Sequence, residues 1–143
     1  MTQEPSAAEL RRQVEEAAKG RCEYCRCPSS CSPAPFAVEH ITPRSEGGLS
    51  ERQNLAFACA GCNGHKYTAT AADDPLTGEL VPLFHPRQHE WQMHFAWSDD
   101  TLLIVGLSPI GRATVERLHL NRSGVRELRK ILRDASKHPP GNV

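Results

Sequence analysis

Apolar positions near the N-terminus repeat with the period of a helix. Leu10 and Val14 lie about one turn apart. Ser6 stands three residues before Glu9, which is the capping-box pattern that begins many helices. Gly20 is a typical residue for the end of such a helix. The pattern therefore predicts an N-terminal helix between Ser6 and Gly20.

The next apolar runs are short and predict strands. FAVEHI occupies positions 36–41 and NLAFAC occupies positions 54–59. The polar segment TPRSEGGLSERQ, with two adjacent glycines, separates them and predicts a loop. CAGCNGHKY at 59–67 predicts the beginning of a helix. The predicted order is strand, loop, strand, helix.

The C-terminal half begins with a second pair of predicted strands. Trp91, Met93, Phe95 and Trp97 alternate with other residues, which predicts a strand with one apolar face. TLLIVG at 101–106 predicts its partner strand. Because the large side chains share one face, we expect them to lie in the core, although stacking on bases is the alternative.

Two helices are predicted to follow. Ser108 and Pro109 fit the N-cap and first position of a helix that ends near His119. A second helix is predicted from Ser123, with apolar residues such as Val125 on its buried side. The sequence thus predicts an α+β protein with an N-terminal helix and a C-terminal β-hairpin followed by helices.

Composition and charge favour one compact domain. The chain has 143 residues, 38% of them hydrophobic, and a formal net charge of zero. No apolar run is long enough to span a membrane, so no membrane partner is expected. The first residues lack a positive segment followed by an apolar stretch, and we therefore expect a cytoplasmic protein with reduced thiols.

Two CxxC pairs predict a structural metal site. Cys22 and Cys25 form one pair, and Cys59 and Cys62 form the other. Each pair can present two thiolates to the same Zn²⁺, which then has four sulfur ligands. Six unrelated thiols, or a thiol redox protein, are the alternatives. A redox protein needs only one CxxC pair and leaves the second unexplained.

Cys27 and Cys31 belong to neither pair. They lie in the Pro- and Ser-rich loop CPSSCSPAP at 27–35. Free loop thiols are the favoured interpretation. A substitute zinc ligand and a bridge between the two under oxidation are the alternatives.

Residues 22–66 resemble the zinc-knuckle type of HNH endonuclease domain. The family pattern is CxxC, then (D/E)H-I-x-P-x-S-x-GG, then NL, then CxxC(N/H)xxK. The matching positions are Cys22-x-x-Cys25, Glu39-His40-Ile41-x-Pro43-x-Ser45-x-Gly47-Gly48, Asn54-Leu55 and Cys59-x-x-Cys62-Asn63-x-x-Lys66.

The resemblance implies a ββα-metal (His-Me finger) core around one divalent cation. By that pattern His40 is the general base that activates water, which suits a neutral imidazole. Glu39 and Asn63 would hold the catalytic Mg²⁺ or Mn²⁺ through oxygen atoms. Asn54, the remaining residue of the catalytic group, would hold the His40 loop through backbone hydrogen bonds.

The resemblance also divides the chain. Residues 1–20 would form the N-terminal helix and 21–70 the HNH nuclease core with its zinc knuckles. Residues 71–143 would form a C-terminal hairpin and basic helical extension packed on that core, within a single compact domain.

Several basic residues are candidates for nucleic-acid contacts. Arg44 lies in the loop beside the predicted site, and Lys66 closes the motif, where it would bind phosphate or cap a helix. Arg122, Arg126, Arg129 and Arg133 share one side of the last predicted helix. Alone, that pattern indicates a solvated helix face; beside a nuclease site it predicts a phosphate track.

The predicted function is metal-dependent hydrolysis of DNA phosphodiester bonds, with RNA left open as a substrate. The alternative is a zinc-stapled DNA-binding or adaptor module without catalysis. The alternative retains the cysteines and arginines but gives no role to Glu39, His40, Asn54 and Asn63. Sequence preference and oligomeric state are not encoded in any of these patterns.

Overall fold

The computed structural model describes residues 4–141 and has six short strands paired as three antiparallel hairpins, with five helices around them. The strands are β1 Ala37–His40, β2 Leu55–Ala58, β3 Ala71–Asp73, β4 Leu80–Pro82, β5 Phe95–Trp97 and β6 Ile104–Gly106. The helices are α1 Ala7–Ala17, α2 Ala60–Lys66, α3 Trp91–His94, α4 Pro109–Leu118 and α5 Ser123–Asp134. The predicted α+β class is confirmed.

The N-terminal helix begins where its capping box predicts. The Glu9 backbone N–H donates to Ser6 Oγ at 3.2 Å, and the Ser6 N–H donates to Glu9 Oε2 at 3.3 Å. Val14 is fully buried, and α1 packs against β2. Arg11 adds a bond of 2.7 Å to the Phe36 carbonyl and so ties α1 to the entrance of β1.

The central unit has the predicted order of strand, loop, strand and helix. β1 pairs with β2 so that Glu39 faces Ala56 and His40 faces Leu55. Helix α2 follows directly, with Cys59 as its N-cap. Helix α2 also packs against β1, so the end of β1 lies beside this helix.

The prediction of a strand over 91–97 is wrong for the first half of that segment. Trp91–His94 forms one helical turn, and only Phe95–Trp97 is extended. The reason is tertiary: Trp91 is buried and donates its indole N–H to the Tyr24 carbonyl at 3.1 Å. Met93 is 67% exposed, so the alternating residues do not form one buried face.

The other C-terminal elements follow the prediction with two differences. The strand predicted over 101–106 is limited to β6, because Thr101 takes a left-handed φ of 63° in the preceding turn. A hairpin of β3 and β4 forms in a segment for which neither a strand nor a helix was predicted. Its turn is organised by buried Asp74, which pairs with Arg112 of α4 at 2.8 Å.

One hydrophobic cluster joins these parts. It includes Val14 of α1, Phe57 of β2, Phe95 of β5 and Leu118 of α4. Ser108 caps α4 by accepting from the Gly111 N–H at 3.0 Å, as predicted. None of the helices formed by residues 4–141 combines the length and apolar composition that a bilayer-spanning segment requires.

Candidate active site and cysteine cluster

The four cysteines of the two CxxC pairs meet in the interior. Their Sγ atoms all lie within 4.8 Å of one another, and all four residues are buried. Cys25 Sγ and Cys59 Sγ are 3.7 Å apart. A tetrahedral ion with Zn–S bonds of about 2.3 Å separates its sulfurs by roughly 3.8 Å, so the cluster has the dimensions of a four-thiolate site.

Backbone amides support the same sulfurs. The Cys25 N–H donates to Cys22 Sγ at 3.5 Å, and the Cys62 N–H donates to Cys59 Sγ at 3.4 Å. Donors aimed at sulfur are what a thiolate ligand requires from its surroundings. The residues present therefore fit a structural metal ion.

Arg122 also contacts the cluster. Its guanidinium lies 3.3 Å from Cys59 Sγ and 3.6 Å from Cys62 Sγ, and it donates to the His119 carbonyl at 3.1 Å. A cation beside four thiolates offsets the net negative charge that they give to a bound divalent ion. The sequence predicted this arginine to be part of a phosphate track. Its contact with the cysteines could not be predicted, because the two segments are far apart in the chain.

Three of the predicted catalytic residues line one open cavity of about 350 Å³. Glu39 and His40 reach it from the end of β1, and Asn63 reaches it from α2. The rest of the wall consists of Pro43, Arg44, Gly64, Tyr67 and Thr68. The structure thus brings together an imidazole, a carboxylate, an amide and a guanidinium at a surface opening.

His40 sits in a small hydrogen-bonded group at the cavity. Its Nε2 is 2.8 Å from Ser50 Oγ and 3.3 Å from Arg44 Nε, and Arg44 also donates to Ser50 at 3.0 Å. Because arginine only donates hydrogen bonds, its contact with Nε2 requires a neutral imidazole. Partial burial and the Arg44 charge both lower the pKa of His40 below its ordinary value.

Glu39 is far less exposed than a typical surface carboxylate. It is 6% exposed, its Oε1 accepts a short hydrogen bond from the Tyr24 hydroxyl, and its Oε2 lies 3.2 Å from Lys66 Nζ. Burial raises the pKa of Glu39, while Lys66 and the Tyr24 hydrogen bond oppose that rise. A carboxylate offers about four lone-pair positions, so these two partners leave capacity for a cation.

Lys66 does not have the solvent access that the predicted phosphate contact needs. It is 1% exposed, and besides Glu39 it donates to the Ile41 carbonyl at 3.0 Å. Both of these contacts of its ammonium are thus with residues at the end of β1 or directly after it. Sequence reasoning missed Tyr24, whose position inside the first CxxC pair is the only sequence signal that it accompanies the cysteine cluster.

Asn54 holds the loop that follows His40. Its Oδ1 accepts from the Thr42 N–H at 2.8 Å, and its Nδ2 donates to the carbonyls of Thr42 and Leu49 at 3.0 Å each. The two adjacent glycines serve the same loop. Gly47 has a left-handed φ of 88°, and a Cβ on Gly48 would lie 1.8 Å from the Thr42 carbonyl oxygen.

The four arginines predicted to form a phosphate track do not share an exposed face. Arg129 is 3% exposed, donates to two backbone carbonyls and lies 5.2 Å over the Trp97 ring. Arg133 is partly exposed and donates to a backbone carbonyl at 2.8 Å, while Arg122 faces the cysteine cluster. Arg126 alone among the four is exposed.

Comparisons with known proteins agree with this arrangement. Residues 22–68 match the family model described as HNH endonuclease. The resemblance inferred from the motifs is thereby confirmed for the segment that holds both CxxC pairs and the cavity residues.

A curated relative extends the similarity beyond that segment. The chain is 27% identical over 109 residues to the Septu protein PtuB of Bacillus thuringiensis, in a region covering 75% of this chain and 39% of that protein. The chain therefore spans about two fifths of the length of this relative. No solved structure matches the chain significantly.

Proposed function

We propose that the protein is a metal-dependent endonuclease that hydrolyses DNA phosphodiester bonds, with His40 as the general base. The observation that carries the proposal is the shared cavity of Glu39, His40 and Asn63. A base, two hard oxygen donors and an opening to solvent are what metal-assisted phosphodiester hydrolysis requires. Residues 21–70 would be the nuclease unit of this protein.

His40 would take a proton from the attacking water. A base of this kind works only in its neutral form, and Arg44 together with partial burial favours that form near neutral pH. The Arg44 guanidinium lines the same cavity and is exposed, so it can also bind a phosphate oxygen of the substrate.

Glu39 and Asn63 would hold Mg²⁺ or Mn²⁺, since both ions prefer oxygen ligands. When bound, such an ion stabilises the negative charge that builds on the phosphate and the leaving oxygen. Tyr24 and Lys66 would orient the Glu39 carboxylate, because both contact it inside the protein. Cys22, Cys25, Cys59 and Cys62 would hold a structural Zn²⁺.

A zinc-stapled DNA-binding module without catalysis is the second candidate. It would need an exposed basic surface, and the burial of Arg129 and Lys66 removes two of the expected contacts. The cavity residues would have no role in such a protein. The nuclease is therefore the better explanation of the site.

The direct test is nicking of supercoiled plasmid DNA by the full chain. We expect cleavage after addition of Mg²⁺ or Mn²⁺ and none without added cation, while the zinc content stays at one per chain in every arm. Binding of DNA without cleavage under any common divalent cation would favour the second candidate.

A further inference from the structure

A fifth cysteine lies against the four-cysteine cluster. Cys27 Sγ is 3.4 Å from Cys25 Sγ. The backbone fixes this contact: Arg26, between the two, has a left-handed φ of 69°, and the Cys22 N–H donates to the Cys27 carbonyl at 2.9 Å. The turn that forms the first knuckle therefore presents one additional sulfur to a cluster sulfur.

The two neighbouring sulfurs differ in exposure. Cys25 is 1% exposed, whereas Cys27 is only partly buried. Cys27 is also outside the group of four sulfurs that lie within 4.8 Å of one another. Of these two sulfurs in contact, the one outside the group of four is therefore the one that an oxidant in solution can reach.

We propose that Cys27 is an oxidation site through which a peroxide releases the metal ion from the cysteine cluster. The proposal rests on the zinc centre of the proposed function and not on its nuclease activity.

The reaction has two steps. The Cys27 sulfur attacks one oxygen of the peroxide, so that an S–O bond forms, the O–O bond breaks, and the thiol proton passes to the leaving oxygen to give the first water. The Cys25 thiolate then attacks the Cys27 sulfur, so that an S–S bond forms, the S–O bond breaks and the oxygen leaves as the second water. The two sulfurs lose two electrons to the peroxide, the solvent supplies the proton that the Cys25 thiolate lacks, and one hydrogen peroxide becomes two waters.

Loss of Cys25 as a ligand leaves the ion with three protein sulfurs. A closed structural site depends on all four, so the ion is released. Tyr24 lies in the same knuckle and donates its hydroxyl hydrogen bond to Glu39. Oxidation at Cys27 therefore loosens the turn that holds the carboxylate beside His40.

Cys31 is the matched control within the same loop. It is exposed, at the end of the 3₁₀ turn Ser29–Cys31, and it is outside the group of four. If accessibility alone decided the reaction, Cys31 would control zinc loss as much as Cys27. If contact with Cys25 decides it, replacing Cys27 will slow zinc loss and replacing Cys31 will not.

The experiment treats the zinc-loaded full chain with hydrogen peroxide, follows zinc release with a chromogenic chelator and maps disulfides by mass spectrometry. We expect zinc release with a Cys25–Cys27 disulfide, and the same rate for Cys31→Ser. Cys27→Ser should contain as much zinc as the wild type before treatment and lose it several-fold more slowly.

The proposal is overturned if Cys27→Ser loses zinc at the wild-type rate, if the disulfide joins other cysteines, or if the untreated protein or this variant lacks the zinc. Neither readout needs DNA cleavage. A chain that shows Cys27-dependent zinc release but nicks no plasmid would contradict the proposed nuclease function and leave the oxidation site standing.

Discussion

The chemistry proposed for His40 depends on the positive charge beside it. Partial burial lowers the pKa of His40, and the charge of Arg44, whose Nε lies 3.3 Å from the imidazole Nε2, lowers it further. A lowered pKa keeps the ring neutral over a wider range of acidic pH. The position of the acidic limb of the activity profile is therefore a measure of this contact.

Replacing Arg44 by glutamine removes the charge, so the pKa of His40 should rise toward its ordinary value of about 6.5. Since the neutral ring is the active form, the acidic limb of kcat/KM against pH should move to higher pH. Cleavage by the variant should fall most at acidic pH. The ratio of kcat/KM between wild type and variant should become constant at pH values where His40 is neutral in both proteins.

Arg126→Gln is the control for this experiment, because Arg126 is exposed on α5 and does not line the cavity. Its acidic limb should coincide with that of the wild type. A limb that stays in place in Arg44→Gln, or moves to lower pH, would contradict the electrostatic role of Arg44.

The motif was sufficient to predict which residues meet in the cavity, but not which side chains form hydrogen bonds and ion pairs with them. Glu39, His40 and Asn63 were identified from the resemblance of the motif to the HNH family. The contacts of Tyr24 and Lys66 with Glu39 depend on burial, which a short motif does not encode. Lys66 was therefore predicted to bind phosphate or cap a helix, although it is 1% exposed.

The loop between β1 and β2 is the element that fixes the position of the site. Asn54 binds this loop at three points, and Gly48 allows the Thr42 carbonyl to approach the chain closely. Any side chain at Gly48 would meet that carbonyl and the Asn54 amide, since a Cβ would lie 1.8 Å and 2.8 Å from their nearest atoms.

Gly48→Ala should therefore displace the loop, destabilise the protein by about 1–3 kcal/mol and reduce cleavage. Chemical denaturation and plasmid nicking measure the two effects. Gly124→Ala in α5 is the control, because a Cβ there meets nothing within 4 Å and alanine favours a helix. Equal stability of the two variants would show that the loop is not constrained as described.

Elements with local signals were predictable, and elements that depend on distant contacts were not. Helix α1 has its capping box, and β1, β2 and α2 follow apolar runs and turn residues in sequence. The helical turn at Trp91 exists because its indole binds the Tyr24 carbonyl, a contact far away in the chain. No pattern around positions 91–97 contains that information.

The C-terminal helices and the cysteine cluster are connected through Arg122. This residue precedes α5 and contacts the sulfurs of Cys59 and Cys62 at the start of α2. Gly61 permits the approach, because a Cβ there would lie 2.5 Å from the Arg122 guanidinium. The two CxxC turns and the C-terminal helices are thus in direct contact beside the proposed zinc site.

Arg122→Gln should weaken zinc retention by about 10- to 100-fold, since partners of metal ligands commonly have effects of that size. Competition with a chromogenic zinc chelator measures the change. Arg126→Gln, the exposed arginine one turn further along, should retain zinc like the wild type. Wild-type retention in Arg122→Gln would mean that the guanidinium does not support the bound ion.

Cleavage of supercoiled plasmid by His40→Ala, compared with His65→Ala, tests the central claim most directly. Both variants remove one imidazole from the same region, but His65 is exposed on α2 and does not line the cavity. At wild-type zinc content, His40→Ala should lower the cleavage rate by about 10²–10⁴-fold, and His65→Ala should leave it unchanged. Wild-type cleavage by His40→Ala would contradict the assignment of His40 as the general base.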